Sequence, residues 1–151
     1  MNPGHLLEQA ENLILTQPTG APRQADLRRA ISTAYYGVFH FVMAAAADLV
    51  LGKTAPKDDL YARVYRSLNH RELKDRSNDL RAIGGKIKAF IDAVISLQKD
   101  RHDADYSPLY RVSKSDALAK VTLARSAIVS FRDASEGDQK ACLIRLMFKE
   151  R

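Results

Sequence analysis

Two short segments carry side chains that could act together on a phosphate. The first spans residues 29–40, and the second, residues 101–106, reads RHDADY. Arg101 can grip a phosphate with its planar guanidinium, and the phenols of Tyr36 and Tyr106 can donate hydrogen bonds. If both segments are helical and pack side by side, arginine, imidazole and phenol converge. Such a set could bind and polarise a phosphodiester without a metal ion.

The first segment lies on one face of a long predicted helix. At about 100° per residue, this face carries Arg29, Thr33, Tyr36 and His40, with Ser32 at its edge. A solvated face would normally carry lysine and glutamate, so these groups indicate a partly buried site or an interface. The alternative is a central helix whose polar side chains are satisfied within the fold.

The second segment continues the apolar face of another predicted helix. That face passes from isoleucines and Phe90 onto Gln98, Arg101 and Asp105. Arg101 and Asp105 are four residues apart and can pair along a helix. A salt bridge that only locks one end of a bundle is therefore the competing interpretation.

The familiar nucleotide and metal signatures are absent from the sequence. It contains no glycine-rich phosphate loop, no paired-cysteine zinc pattern, no HExxH and no GxSxG. The four histidines, His5, His40, His70 and His102, are too scattered to propose a metal site. We therefore predict neither a metal ion nor a cofactor.

Composition predicts one all-helical domain over residues 1–151. The chain is 46% hydrophobic and 28% charged, with only seven glycines and five prolines. Its single cysteine excludes an intrachain disulfide and favours a reducing cytoplasm. The net charge of +6 is consistent with an anionic partner such as nucleic acid. The sequence shows no signal peptide and no apolar run of about 18–20 residues, so we predict no membrane association.

Helix signals predict an up-and-down bundle of four main helices with short flanking ones. The predicted helices cover about residues 5–16, 23–51, 57 to between 69 and 73, 78 to before 108, 113 or 115 to 135, and 138–148. Loops are expected at 17–22, 53–56 and 71–78. Gly52 should end the long second helix, and Gly137 should break the fifth. Asn78 or Asp79 should cap the fourth helix.

The first segment, together with Arg28 before it, resembles a known signature. RRAISTAYYGVFH, residues 28–40, is similar to the second helix of the HEPN superfamily, small helical bundles of prokaryotes, which commonly reads R-A-x-S-x-A-Y-Y-A-x-F-H. The later RHDADY is similar to an R-x-x-A-D-Y element on the penultimate long helix in one branch of that superfamily. The resemblance covers residues 5–135 and leaves the last helix unmatched.

The resemblance implies a homodimer in which these two helices face a partner across a cleft. Many superfamily members are metal-independent endoribonucleases that act as toxins or in phage defence, often beside a nucleotidyltransferase-like antitoxin. Their catalytic element is an arginine followed by four to six residues and a histidine. The RNA 2′-hydroxyl attacks the adjacent phosphate while histidine acts as base or acid and arginine steadies the developing charge.

This sequence departs from that catalytic element. The only histidine after Arg101 is the adjacent His102, and the four-residue gap ends in Tyr106. Arg63 and His70 match the spacing, but they lie in the third predicted helix, so we treat this as a chance match. We predict a catalytic set of Arg101, His102, Tyr106 and His40, and a substrate-binding set of Arg29, Ser32, Tyr36 and Asp105.

Three functions are compatible with these patterns. The first is a metal-independent endoribonuclease toxin or defence protein that acts on RNA. The second is a non-catalytic HEPN module that binds nucleotide or RNA or docks a nucleotidyltransferase-like partner. The missing downstream histidine favours this second function. The third is a helical dimerisation module in which Arg101 and Asp105 only lock the bundle.

Overall fold

The fold is built around one long central helix, α2. The computed structural model describes residues 1–16 and 19–151, and within them it contains helices and no strand. The helices are α1 (Pro3–Leu15), α2 (Gln24–Leu51), α3 (Asp59–Tyr65), α4 (His70–Asp75), α5 (Ser77–Arg81), α6 (Gly85–Tyr106), α7 (Lys114–Asp133) and α8 (Glu136–Met147). The long helices α1, α2, α6 and α7 pack against one another, and the rest flank them. The all-α bundle is therefore confirmed.

Contacts between the long helices show that α6 runs antiparallel to both α2 and α7. Arg28 near the start of α2 meets Ala104 near the end of α6. Phe90 early in α6 meets Phe131 at the end of α7. Phe131 also lies edge-on to Phe41 of α2, with ring centroids 5.4 Å apart. This aromatic column joins three helices through the core, where Phe90 is fully buried.

The predicted bounds of α2 are confirmed because its end signals are local. Arg23 is the N-cap, and Gly52 ends the helix with a φ of 93°, a conformation that glycine adopts without steric cost. Inside the helix, Gly37 allows α1 to approach closely. A Cβ at this position would lie 3.0 Å from Cδ2 of Leu7 and 3.4 Å from the carbonyl oxygen of Pro3.

We expect Gly37→Val to destabilise the fold, because valine would push into a buried Leu7 and the backbone of α1. Such overpacking typically costs about 1–3 kcal/mol, which thermal unfolding would detect. Gly137→Val is the matched control, because a Cβ at Gly137 meets nothing within 4 Å. Equal melting temperatures for the two variants would contradict a tight contact between α1 and α2.

The length and composition of α2 bear on the prediction that the chain does not associate with a membrane. Its most apolar 18-residue window has a mean hydropathy of 1.5, so by length and composition alone it could cross a membrane. Half of that window is buried inside the bundle. The core helix of a soluble protein passes the same test, so the absence of membrane association and the cytoplasmic location both stay predictions.

The region between α2 and α6 differs from the prediction. The third helix ends at Tyr65, and the stretch 71–78, predicted as a loop, belongs largely to α4 and α5. Asn69 caps α4 by accepting a hydrogen bond from the backbone of Glu72. Burial of Leu73 in α4 and Leu80 in α5 holds these short helices against the core. This polar stretch therefore forms two short helices, and one buried leucine attaches each of them to the core.

The predicted start of the fourth helix, which corresponds to α6, was also wrong. Neither Asn78 nor Asp79 caps it, because α6 begins only at Gly85. Gly84 and Gly85 have positive φ values of 79° and 53°, which interrupt the helix after α5. The two glycines thus separate α5 from α6.

The C-terminal helices follow their predicted bounds to within about two residues, but Gly137 does not have its predicted role. Ser113 caps α7 as expected, accepting a hydrogen bond from the backbone of Asp116. Gly137 does not break this helix; it lies inside α8, which begins after its own cap, Ser135. α8 packs Cys142, Leu143 and Leu146 into the common core. Of the predicted loop 17–22, residues 17 and 18 lie outside the described residues.

Candidate functional site

The site lies where the first half of α2 meets the end of α6. Arg28 of α2 donates hydrogen bonds to the carbonyl oxygens of Ala104 and Ser107, at 2.6 and 2.8 Å. These bonds satisfy carbonyl groups at the end of α6 that have no partner inside the helix. They also set the register of the two helices. One turn further along, Ser32 of α2 donates to Oδ2 of Asp105 at 3.2 Å.

This register places Arg101 against two tyrosines of α2. The Cζ atom of Arg101 lies 5.4 Å from the ring centroid of Tyr35 and 6.0 Å from that of Tyr36. Cation–π attraction of this kind partly offsets the loss of hydration around a guanidinium. Arg101 of the second segment therefore lies beside Tyr36 of the first, and Ser32 and Asp105 lie next to them.

Arg101 is buried without a full set of hydrogen bonds. It is only 9% exposed, and within the described residues its Nε has no hydrogen-bond partner. Its Nη1 lies 3.7 Å from Oδ2 of Asp105, beyond ordinary hydrogen-bond distance. Leaving a buried donor unpaired costs about 1–3 kcal/mol. The fold therefore holds a guanidinium whose hydrogen-bonding capacity is incompletely used.

His70 supplies the imidazole of the cluster, a role that the sequence pattern did not predict. Its Nδ1 is hydrogen-bonded to the hydroxyl of Tyr35 at 2.7 Å, and its ring centroid lies 4.0 Å from that of Phe39. Gln98 of α6 donates to the backbone carbonyl of His70 at 2.6 Å, which fixes the start of α4 against α6. The spacing from Arg63 was a signal, but Arg63 itself is exposed on a different helix, α3.

Electrostatics keep this imidazole neutral. Burial lowers the pKa of His70 below 6.5, and the positive charge of Arg101 and the nearby His40 lower it further. Burial raises the pKa of Tyr35 well above 10, so its phenol stays protonated. At neutral pH the cluster therefore combines one buried cation with a neutral imidazole and a neutral phenol.

The structure does not place the two predicted histidines, His40 and His102, against the guanidinium of Arg101. The Nδ1 of His40 is hydrogen-bonded to the hydroxyl of Tyr65 on α3. Burial and the positive N-terminal amine lower the pKa of His40. His102 has a 68% exposed side chain and packs beside Tyr106, with ring centroids 5.1 Å apart. Tyr106 is also 68% exposed, so this pair lies on the outer surface of α6.

No family model, curated protein or solved structure matches this chain. The resemblance to the HEPN superfamily stays a prediction that rests on the two sequence elements. Neither element contains His70, and only the folded chain brings its imidazole next to Tyr35.

The chemistry available at the site follows from its donors. In the described part of the chain, no group of three or more histidine, cysteine, aspartate or glutamate side chains could hold a metal ion. Arg101, Ser32 and Tyr36 are hydrogen-bond donors, and His70 can exchange a proton. Arg29 is exposed on the same face of α2, one turn before Ser32. Donors of these kinds fit a phosphate of a polyanionic chain.

Proposed function

We propose that this chain is an HEPN-type, metal-independent endoribonuclease, acting as the toxin of a toxin–antitoxin or phage-defence system. The observation that supports this most is the buried, incompletely bonded Arg101 beside the neutral imidazole of His70. The proposal includes a cytoplasmic homodimer and a nucleotidyltransferase-like antitoxin as partner. Both follow from the resemblance of residues 28–40 and 101–106 to HEPN elements.

In the proposed reaction, the 2′-hydroxyl of RNA attacks the neighbouring phosphorus. His70 accepts the hydroxyl proton, which requires the neutral imidazole that its lowered pKa maintains. Arg101 donates to the non-bridging oxygens, where negative charge builds in the transition state. The bond to the 5′-oxygen breaks, leaving a 2′,3′-cyclic phosphate.

The departing 5′-oxygen needs a proton, and we assign its donation to the phenol of Tyr36. Its ring lies edge-on to His70, with centroids 5.7 Å apart, and beside Arg101. The imidazolium formed in the attack can then return a proton to the phenolate, so protons balance over one turnover. This assigns His70 the role that the sequence analysis gave to His40 and His102.

The second candidate is a non-catalytic HEPN module that binds nucleotide or RNA or docks a nucleotidyltransferase-like partner. One observation favours it: Nδ1 of His70 is already engaged by the Tyr35 hydroxyl. The exposed Arg29 and the net charge of +6 would then serve phosphate binding alone. This candidate predicts salt-dependent RNA binding without turnover.

The test is cleavage of labelled RNA by purified protein in EDTA, with His70→Gln as the variant. Glutamine can still hydrogen-bond to Tyr35 but cannot act as a base, so we expect a rate loss of roughly 10²–10⁴-fold. In the wild type, cleavage should decline only below pH 6.5, because acid protonates an imidazole whose pKa is lowered.

His102→Gln is the matched control, since it removes an exposed imidazole from the same region and should leave the rate unchanged. If His102→Gln abolishes cleavage and His70→Gln does not, the catalytic imidazole is the one that the sequence analysis predicted. If the wild type binds RNA but does not cleave it, the non-catalytic module is the correct function.

A further inference from the structure

The carboxylate of Asp105 lies beside polar groups of both α2 and α6. Its Oδ2 accepts a hydrogen bond from the buried hydroxyl of Ser32 at 3.2 Å. The same oxygen lies 3.7 Å from Nη1 of Arg101. One negatively charged oxygen thus lies between a hydroxyl donor and a guanidinium donor that come from different helices.

The ion pair between Arg101 and Asp105 lacks the short hydrogen bonds of a tight structural salt bridge. A buried arginine that only locks a bundle normally saturates its donors with carboxylate and carbonyl oxygens. Arg28, one helical turn before Ser32, does so with two carbonyl groups at 2.6 and 2.8 Å. Arg101 instead keeps an unpartnered Nε among the described residues. Its Nη1 lies 3.7 Å from Oδ2 of Asp105, which is close enough for an ion pair and too far for a hydrogen bond.

The side chain of Asp105 is more accessible to water than the side chain of Arg101. It is 28% exposed and stands in the last turn of α6, whereas the side chain of Arg101 is only 11% exposed. The cation is therefore held by the fold, and the carboxylate can turn toward water. A phosphoryl oxygen could then take its position between Ser32 and Arg101.

We propose that Asp105 is an internal competitor that occupies the phosphoryl subsite formed by Ser32 and Arg101 and must be displaced when a phosphate group binds. This rests on the proposed function for the identity of the ligand, a phosphate of RNA. It replaces the expectation that Asp105 itself contacts substrate. The fold keeps the arginine neutralised until a stronger, multivalent anion arrives.

The test is calorimetric titration of inorganic phosphate into the wild type and Asp105→Asn. Asparagine keeps the shape but removes the competing charge, so phosphate should bind roughly tenfold more tightly, a difference of about 1.4 kcal/mol. Asp103→Asn is the matched control: its side chain is 34% exposed on the same helix and pairs with Lys99. That variant should change affinity by less than about twofold.

A third variant, Asp105→Asn combined with Arg101→Gln, should lose the gain, because the cation that binds phosphate is gone. Equal tightening in Asp103→Asn, or none in Asp105→Asn, would overturn the competitor role. A 2′-O-methyl RNA, which cannot be cleaved at its modified positions, should show the same order of affinities. Because neither probe requires turnover, a protein without nuclease activity could still pass or fail this test.

Discussion

Replacing Arg101 by glutamine should abolish RNA cleavage while the bundle stays folded. In the proposed reaction Arg101 stabilises the charge on the phosphoryl oxygens, a role that in other phosphoryl transfers is worth about 10³–10⁵-fold in rate. Glutamine fills part of the same space and removes a buried charge that has an unpartnered Nε. Initial rates on labelled RNA and the melting temperature should be measured on the same preparations.

The control for Arg101→Gln is Arg132→Gln, which removes the same charge from α7. Arg132 lies over the ring of Phe41, at 5.2 Å from its centroid, and is not part of the cluster. We expect this variant to cleave at nearly the wild-type rate. Equal loss in both variants would mean that net charge matters and the Arg101 site does not.

Arg101→Gln also separates the nuclease from a dimerisation module. If Arg101 only locks the bundle, breaking a buried ion pair should cost on the order of 3–5 kcal/mol and lower the melting temperature. A folded variant with unchanged stability and no activity excludes that function. In cells, induced wild-type protein should arrest growth, and the folded variant should not.

Replacing Phe90 by alanine should lower the free energy of unfolding more than the Gly37→Val substitution does. Phe90 is 0% exposed, and its ring centroid lies 5.2 Å from that of Phe131, edge to face. Truncating a buried phenylalanine removes its transfer free energy and leaves a cavity, at a cost of about 3–5 kcal/mol. For a chain of this length the melting temperature should fall by on the order of 10 °C.

Phe148→Ala is the matched control for the core, because it removes the same atoms from a side chain that is 64% exposed. Its free energy of unfolding should change by less than about 0.5 kcal/mol. A small effect of Phe90→Ala would mean that α6 and α7 are less tightly packed than their rings indicate. Circular dichroism with urea titration would measure both variants.

Local signals were sufficient for part of the fold and one half of the site. The bounds of α2 and the Ser113 cap of α7 follow from side chains and φ angles within a few residues, so the sequence predicts them. The period of α6 placed Arg101 and Asp105 on one face. The convergence of Arg101 with Tyr36 was predicted only on the condition that these two helices pack side by side, and the structure meets that condition.

The sequence by itself therefore determined the helical class and the long helices, and it gave the arginine–tyrosine half of the cluster once α2 and α6 are taken to pack together. Only the tertiary structure decided which imidazole joins it. His70 begins a single-turn helix whose position depends on burial of Leu73 and on the bond from Gln98 to its carbonyl oxygen. Periodicity places residues on the face of one helix, but it carries no information about which distant segment will pack there.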